Sequence, residues 1–266
     1  MEMLYDGSVK MEFYAGRHAY FADGERVYGV TTFTGIIDKS RALIYWATNL
    51  ARDYLLELLN NGISLNSDHV ISATKLHQVR VEQAAEKGTQ VHALAELWIK
   101  SSPKERKAIK LPADEDVRNG FMAFLSWVDE HKVKFLYSER LIFSKKHRYT
   151  GTLDCMFTMG EEKHMVRHLG DFKTSSGVYP EMIFQVTAYE NAVLEEEMAT
   201  PLKKRSRDAM LPFGDKYIMR FDKKTGEFEA YCIPAENHKD DFSAFVGLLT
   251  AKKRLMSIEA DMKDNF

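Results

Sequence analysis

The sequence predicts a mixed α+β fold in which a central mixed β-sheet is flanked by helices, with an N-terminal hairpin and helical additions. Three observations predict it. Apolar residues recur at helical spacing in 43–58, 72–100, 117–128, 179–196 and 237–260. Strand-like alternation runs through 135–143, 151–159, 164–173, 216–222 and 227–233. Only the helix at 179–196 interrupts those strands, so the order is helices, a sheet with one intervening helix, and a closing helix.

Taken in order, residues 12–33 alternate around the turn Ala22-Asp23-Gly24-Glu25, with Phe13, Tyr20, Phe21, Val27, Tyr28 and Val30 as the strand residues of a small hairpin. Ser40 is placed to cap a helix carrying Leu43, Ala47, Leu50, Tyr54 and Leu58, which Asn61-Gly62 ends; its apolar stripe, with Trp46, predicts core packing. The next helix, from about Ser72 to Lys100, is interrupted by Gly88. On it His92 and Glu96 are four apart and share a face. Residues 101–107 read as a polar loop. After Pro112, Asp114 can cap a packing helix with Val117, Phe121, Leu125 and Val128.

Phe135, Tyr137, Glu139, Leu141 and Phe143 alternate as a strand, which puts Glu139 either at an edge or beside the acidic residues that follow. The strands at 151–159 and 164–173 form an antiparallel hairpin around Gly160-Glu161-Glu162-Lys163. Alternation sets Leu153, Cys155 and Phe157 on one face and Asp154 on the other. A helix from Tyr179 to Glu196 and a basic connection lead to a second hairpin around Lys223-Lys224-Thr225-Gly226. The closing helix offers Phe242, Phe245, Leu248 or Leu249, Lys252 and Leu255.

With 266 residues, 45% hydrophobic and 29% charged, the chain has the make-up of one globular domain, 1–66 being the N-terminal hairpin and helix and 67–266 the core. A net charge of -2 excludes a uniformly basic surface, so nucleic-acid contacts fall to local patches: Lys145-Lys146-His147-Arg148, Lys203-Lys204-Arg205 with Arg207, and Lys252-Lys253-Arg254. The 2 cysteines, Cys155 and Cys232, supply neither a disulfide framework nor a thiolate cluster. No signal segment or membrane span is legible, and a cytoplasmic location is expected.

The chemistry converges on 149–189. Asp154 and Asp171 are acidic oxygen donors on neighbouring strands, and Lys173, two residues after Asp171, shares its strand face. Two carboxylates and an ammonium are costly in an ordinary core but suit a divalent cation and a phosphate. Mg²⁺ and Mn²⁺ prefer oxygen donors, and one imidazole, here His92, is compatible with Mn²⁺ in particular.

Gly88-x-x-x-His92-x-x-x-Glu96, Gly151-Thr152-Leu153-Asp154, Asp171-Phe172-Lys173-Thr174-Ser175 and Gln185-x-x-x-Tyr189, in this order, resemble the PD-(D/E)XK nuclease superfamily. Within it the similarity is to RecB-type exonucleases, a branch with many bacteriophage members. The resemblance implies a restriction-endonuclease-like core and residue roles. His92, Asp154 and Asp171 are metal ligands, the backbone carbonyl of Phe172 completes the shell, and Lys173 is the catalytic lysine. Gln185, Tyr189, Thr174 and Ser175 lie on the substrate side. Glu96 meets the metal, meets it through water, or orients His92. Leu153 replaces the proline of the family's name, and the cluster cysteines of some relatives are absent, so no iron–sulfur cluster is expected.

The implied activity is a Mg²⁺- or Mn²⁺-dependent DNA exonuclease that processes single- or double-stranded ends in recombination, repair or phage replication. Its partners are DNA and a recombination protein, with no membrane, in the cytoplasm of a bacterial host if the gene is carried by a phage. The alternatives are a structure-specific endonuclease and a catalytically silent DNA-binding recombination partner.

Overall fold

The N-terminal alternation folds into an antiparallel meander of four strands, not one hairpin: β1 (Glu2–Leu4), β2 (Val9–Tyr14), β3 (Ala19–Ala22) and β4 (Glu25–Gly29). In the computed structural model, which describes residues 1–160, 165–222 and 225–264, the expected turn closes β3 onto β4. Ala22 faces Glu25, and Asp23 (φ 51) with Gly24 (φ 83) takes the left-handed pair that matches the twist of a two-residue hairpin. The strand does not run on to Phe33. At Val30 the chain enters a short helix, α1 (Val30–Thr34), whose Val30 and Phe33 are buried.

Helix α2 (Ser40–Asn60) begins at Ser40, but Ser40 is not its cap; Asp38 Oδ1 instead accepts from Ser40 N at 2.8 Å and Ser40 Oγ at 2.5 Å. The stripe predicted to be core is not: α2 buries no residue, and Leu43, Ile44, Tyr45 and Trp46 are exposed. Its main neighbour is α3 (Ser67–Lys100), which spans about 50 Å at ~1.5 Å per residue and also packs against α5 and the strand at 134–144. Gly88 does not interrupt α3, which starts from the Asn66/His69 capping box and runs through it. The predicted polar loop contains a single helical turn, α4 (Pro103–Arg106), closed by the Ser102/Glu105 capping box. Helix α5 (Glu115–Glu130) is capped by Asp114 as expected, Val117 N donating at 3.1 Å.

The central strands are β5 (Lys134–Ser144), β6 (Tyr149–Thr158) and β7 (Arg167–Lys173), followed by α6 (Pro180–Ala199), β8 (Phe213–Phe221), β9 (Phe228–Ile233) and α7 (His238–Asp264). The predicted turn residues Glu161, Glu162, Lys163, Lys223 and Lys224 lie outside the described residues. Among the described residues the strands make one mixed sheet. β5, β6 and β7 run antiparallel, β7 and β8 parallel, β8 and β9 antiparallel, and β4 joins β6 in parallel.

Helices pack both faces of this sheet. α6 and α7 cover one around Leu153, Met156, Leu169, Ile218 and Phe245. α3 and α5 cover the other around Cys155, Phe157, Phe172, Met219 and Phe221, where Phe124 is fully buried. Leu153 therefore does not share a core with Cys155 and Phe157, as alternation predicted. The period of two fails at Asp154, where the β5–β6 ladder has no pair between Ser138↔Cys155 and Arg140↔Leu153. Among the described residues no helix is long and apolar enough to cross a membrane.

Candidate metal centre

The centre sits in a gap in the sheet. β5 lines one edge of β6 over its whole length, so β4 and β7 must share the other edge. β4 takes Tyr149 and Thr150, β7 takes Cys155 to Thr158, and Gly151 to Asp154 are left between them. In that gap the Asp154 carboxylate substitutes for a ladder partner: Phe172 N donates to its Oδ2 at 2.6 Å. The acid is 8% exposed and its hydrogen bond is made from backbone, so its position is rigid.

His92 reaches the same oxygen from α3. Its ring stands edge-on to Phe172, centroids 5.3 Å apart at 89°, and Nε2 lies 3.1 Å from Asp154 Oδ2. Nε2 is nevertheless buried without a hydrogen-bond partner. Glu139 arrives from β5 at φ 53, a left-handed conformation that a side chain other than glycine adopts at a cost. The donor atoms of His92, Glu139 and Asp154 all lie within 4.8 Å of one another.

This donor set fits a divalent cation. Ligands about 2.1 Å from one small ion stand roughly 3–4 Å apart, so slight closure of the three side chains suffices. His92 Nε2 is close to Asp154 without hydrogen-bond geometry to it, and one nitrogen with two carboxylate oxygens is a donor set that a divalent cation could bridge, with water in the remaining positions.

Asp171 stands beside this trio, not in it. Its Oδ1 accepts from Gln185 Nε2 at 3.2 Å, and Lys173 Nζ contacts its Oδ2. Gln185 Nε2 also donates to Tyr189 Oη at 2.8 Å, and the Tyr189 ring lies so close to Gly151 that a Cβ there would come within 2.6 Å of Cε1. Gly151 is thus required for the Gly151-Thr152-Leu153-Asp154 strand to pass Tyr189.

The charges are crowded, as their protonation shows. Burial raises the Asp171 carboxyl above its ordinary range; Lys173 opposes this and Asp154 adds to it. Burial pulls Lys173 down, but Asp171 and Asp154 outweigh it and the ammonium is held on more firmly than usual. Glu139 is pushed up to about 7 by burial and then by Asp154 and Glu96. Burial lowers the His92 imidazole, yet the surrounding carboxylates, Asp154 foremost, leave it raised on balance.

The remaining predicted residues divide. Gln185 and Tyr189 adjoin the acids as expected, with Gln185 fixing Asp171 directly. Phe172 contributes its N–H to Asp154 and its ring to His92. Thr174 packs against Gly88 of α3, where an added Cβ would lie 2.5 Å from Oγ1, and the Ser175 hydroxyl donates to Gly177 O at 2.6 Å. Glu96 pairs with Lys100 at 2.5 Å and is outside the trio. Glu139, which the motifs do not include, joins His92 and Asp154 in the trio, with Asp171 beside it; the available signal for Glu139 is its position on an alternating strand beside the acids.

Two basic patches meet away from the acids. Lys253 Nζ donates to His147 O at 2.8 Å, bringing 252–254 to 145–148, whereas Lys204 is paired with Asp6 at 2.5 Å. No family model matches the chain, and no curated protein matches it.

Proposed function

We propose that this protein is a divalent-metal-dependent DNA exonuclease of PD-(D/E)XK type that hydrolyses phosphodiester bonds at DNA ends in recombination, repair or phage replication. The observation that carries the reading is the convergence of His92, Glu139 and Asp154 next to the Asp171–Lys173 pair, in a gap of a mixed sheet flanked by helices. A cation held there supplies a Lewis acid for a phosphoryl oxygen and lowers the pKa of water.

The chain's own groups divide the remaining work. His92, Glu139 and Asp154 would hold the ion. Lys173, protonated at Nζ and about one-fifth exposed, offers positive charge to the phosphoryl oxygens as negative charge grows on them, and is not the base that takes the proton of water. Gln185 orients Asp171, and Asp171 orients Lys173. The oxygen of water adds to phosphorus and the bond to the leaving oxygen breaks; one proton of the water ends on that oxygen as the new hydroxyl, and the other is released to solvent from the phosphomonoester. The joined patch at 145–148 and 252–254 lies at the far end of β6, six residues and roughly 20 Å from Asp154 at ~3.3 Å per residue, within reach of the same strand's backbone.

The test is degradation of linear and circular DNA with Mg²⁺ or Mn²⁺ by wild type and Lys173→Ala. Loss of linear DNA alone, abolished in the variant, supports an exonuclease; nicking of circles moves the reading to an endonuclease. A wild type inert on both substrates overturns it.

A further inference from the structure

Beside the acids lies a cavity of about 320 Å³ with two unlike walls. One wall is Glu139, Gln185 and Tyr189, the flank of the metal centre; the other is Phe13, His18 and Tyr20 of the N-terminal meander. A larger hollow of about 800 Å³ on the meander, lined by Tyr14, Arg17 and Arg26 among others, touches none of the acidic-site residues.

The aromatic wall is built by strand register. Phe13 and Tyr20 are directly opposed on β2 and β3, and their rings stack at 4.6 Å and 28°. His18, held at φ 44 in the connecting turn, sets its ring edge-on to both, at 5.4 Å and 5.8 Å. Tyr20 is buried and anchors the group, while Phe13 is 42% exposed. Flat apolar rings that border a cavity on one side and phosphodiester chemistry on the other are the means by which proteins take up unpaired bases, since every base offers a π-face. The volume lies at the lower end of small-ligand pockets, enough for a single nucleotide and far too small for a duplex.

We propose that this cavity takes the nucleobase of one unpaired nucleotide at a strand end, packed against Phe13 and His18, so that the adjoining phosphodiester lies at Glu139, Asp154 and Lys173. The inference rests on the nuclease reading and adds its substrate class: an unpaired or frayed terminus, not an intact base pair. The two joined basic patches would then hold the phosphate backbone, and the meander would act as the reader of the end.

The experiment measures binding of single-stranded oligonucleotides carrying either a normal or an abasic nucleotide at each end, with Ca²⁺ present to fill oxygen-ligand sites without Mg²⁺ or Mn²⁺. Wild type is expected to bind the oligonucleotide with an abasic nucleotide at one of its ends about tenfold more weakly. Phe13→Ala/His18→Ala, and Phe13→Leu which keeps apolar bulk for the meander, are expected to bind normal and abasic ends alike. Equal binding of both ends by wild type, or unchanged discrimination in the variants, overturns the proposal. Cleavage of linear DNA with Mg²⁺ is read in parallel. Cleavage without base discrimination removes this site alone, discrimination without cleavage keeps the site and removes the nuclease reading, and absence of both binding and cleavage removes the two together.

Discussion

His92 Nε2 stands 3.1 Å from Asp154 Oδ2, yet it is the Phe172 N–H, at 2.6 Å, that takes the hydrogen bond to this oxygen. The imidazole is aimed at the carboxylate without being satisfied by it. Asp154→Asn separates the two roles of the acid, because an amide oxygen can still accept from Phe172 while the charge is gone. The variant is expected to keep the fold and a melting temperature within a few degrees of wild type, and to bind Mn²⁺ at least tenfold more weakly, since even outer-shell changes at metal sites cost that much. Calorimetric titration with Mn²⁺ checks it, and unchanged affinity removes Asp154 from the centre.

Lys173 faces a buried carboxylate, so its removal acts on both stability and turnover. Lys173→Ala leaves Asp171 without its counter-charge and is expected to lower turnover by at least about a hundredfold, the scale of losing one stabilising donor at a developing oxyanion. Substrate binding, dominated by phosphate contacts elsewhere, should change far less and fall steeply with salt. Single-turnover rates beside binding isotherms over a salt series distinguish these. A variant as active as wild type would falsify the role given to Lys173.

Protonation gives a third expectation. Glu139 and Asp171 have raised carboxyl pKa values in the fold, Glu139 from an ordinary 4.5 to about 7, and the imidazole of His92 is raised as well. All three make the metal-free fold bind more protons than the unfolded chain; the contributions of Glu139 and Asp171 are fully present below the ordinary carboxyl range and are lost as pH rises towards 7, whereas that of His92 is fully present below the ordinary imidazole value and is lost as pH rises above it. A cation competes with those protons, so stabilisation by Mn²⁺ must grow over the same window, and activity must fall as pH drops through it. Melting curves from pH 5 to 8, with chelator and with Mn²⁺, test the sign. Glu139→Gln should flatten the metal-free dependence and shrink the gain from Mn²⁺. A gain that is constant with pH would remove these groups from the centre.

Period-two alternation was enough to place Asp171 and Lys173 on one strand face, because β7 pairs with β8 in unbroken register from Leu169 to Lys173, past the irregularity between Arg167 and Leu169. It failed at Asp154 and Glu139 for one shared reason: the ladder breaks between them and Glu139 turns to positive φ, a local conformation that no pattern of apolar residues encodes. The stripe on α2 was read correctly as apolar and wrongly as core. Periodicity reports which face of a helix is apolar, not whether a sheet lies against it, and among the described residues the main neighbour of α2 is another helix, α3. His92 and Asp154 are brought together across the chain by packing of α3 on Phe172, a relation that only the motif resemblance anticipated.

Gly88 shows how that packing is set, and it carries a prediction of opposite signs. In an exposed helix, glycine to alanine stabilises by up to about 1 kcal/mol. At Gly88 the new Cβ would lie 2.5 Å from Thr174 Oγ1, so α3 must move away from the end of β7, and His92, one turn further along, moves with it. Gly88→Ala is therefore expected to destabilise the protein by about 1–3 kcal/mol, the range for overpacking, and to weaken Mn²⁺ binding. Thr174→Ala removes the Oγ1 atom that causes the conflict and leaves Cβ in ordinary contact at 3.4 Å. In that background Gly88→Ala should cost little or become stabilising, a coupling that denaturant melts of the two single variants and the double variant measure directly. Additive effects across the cycle would mean that Gly88 and Thr174 do not set the approach of α3, and that His92 is positioned by Phe172 alone.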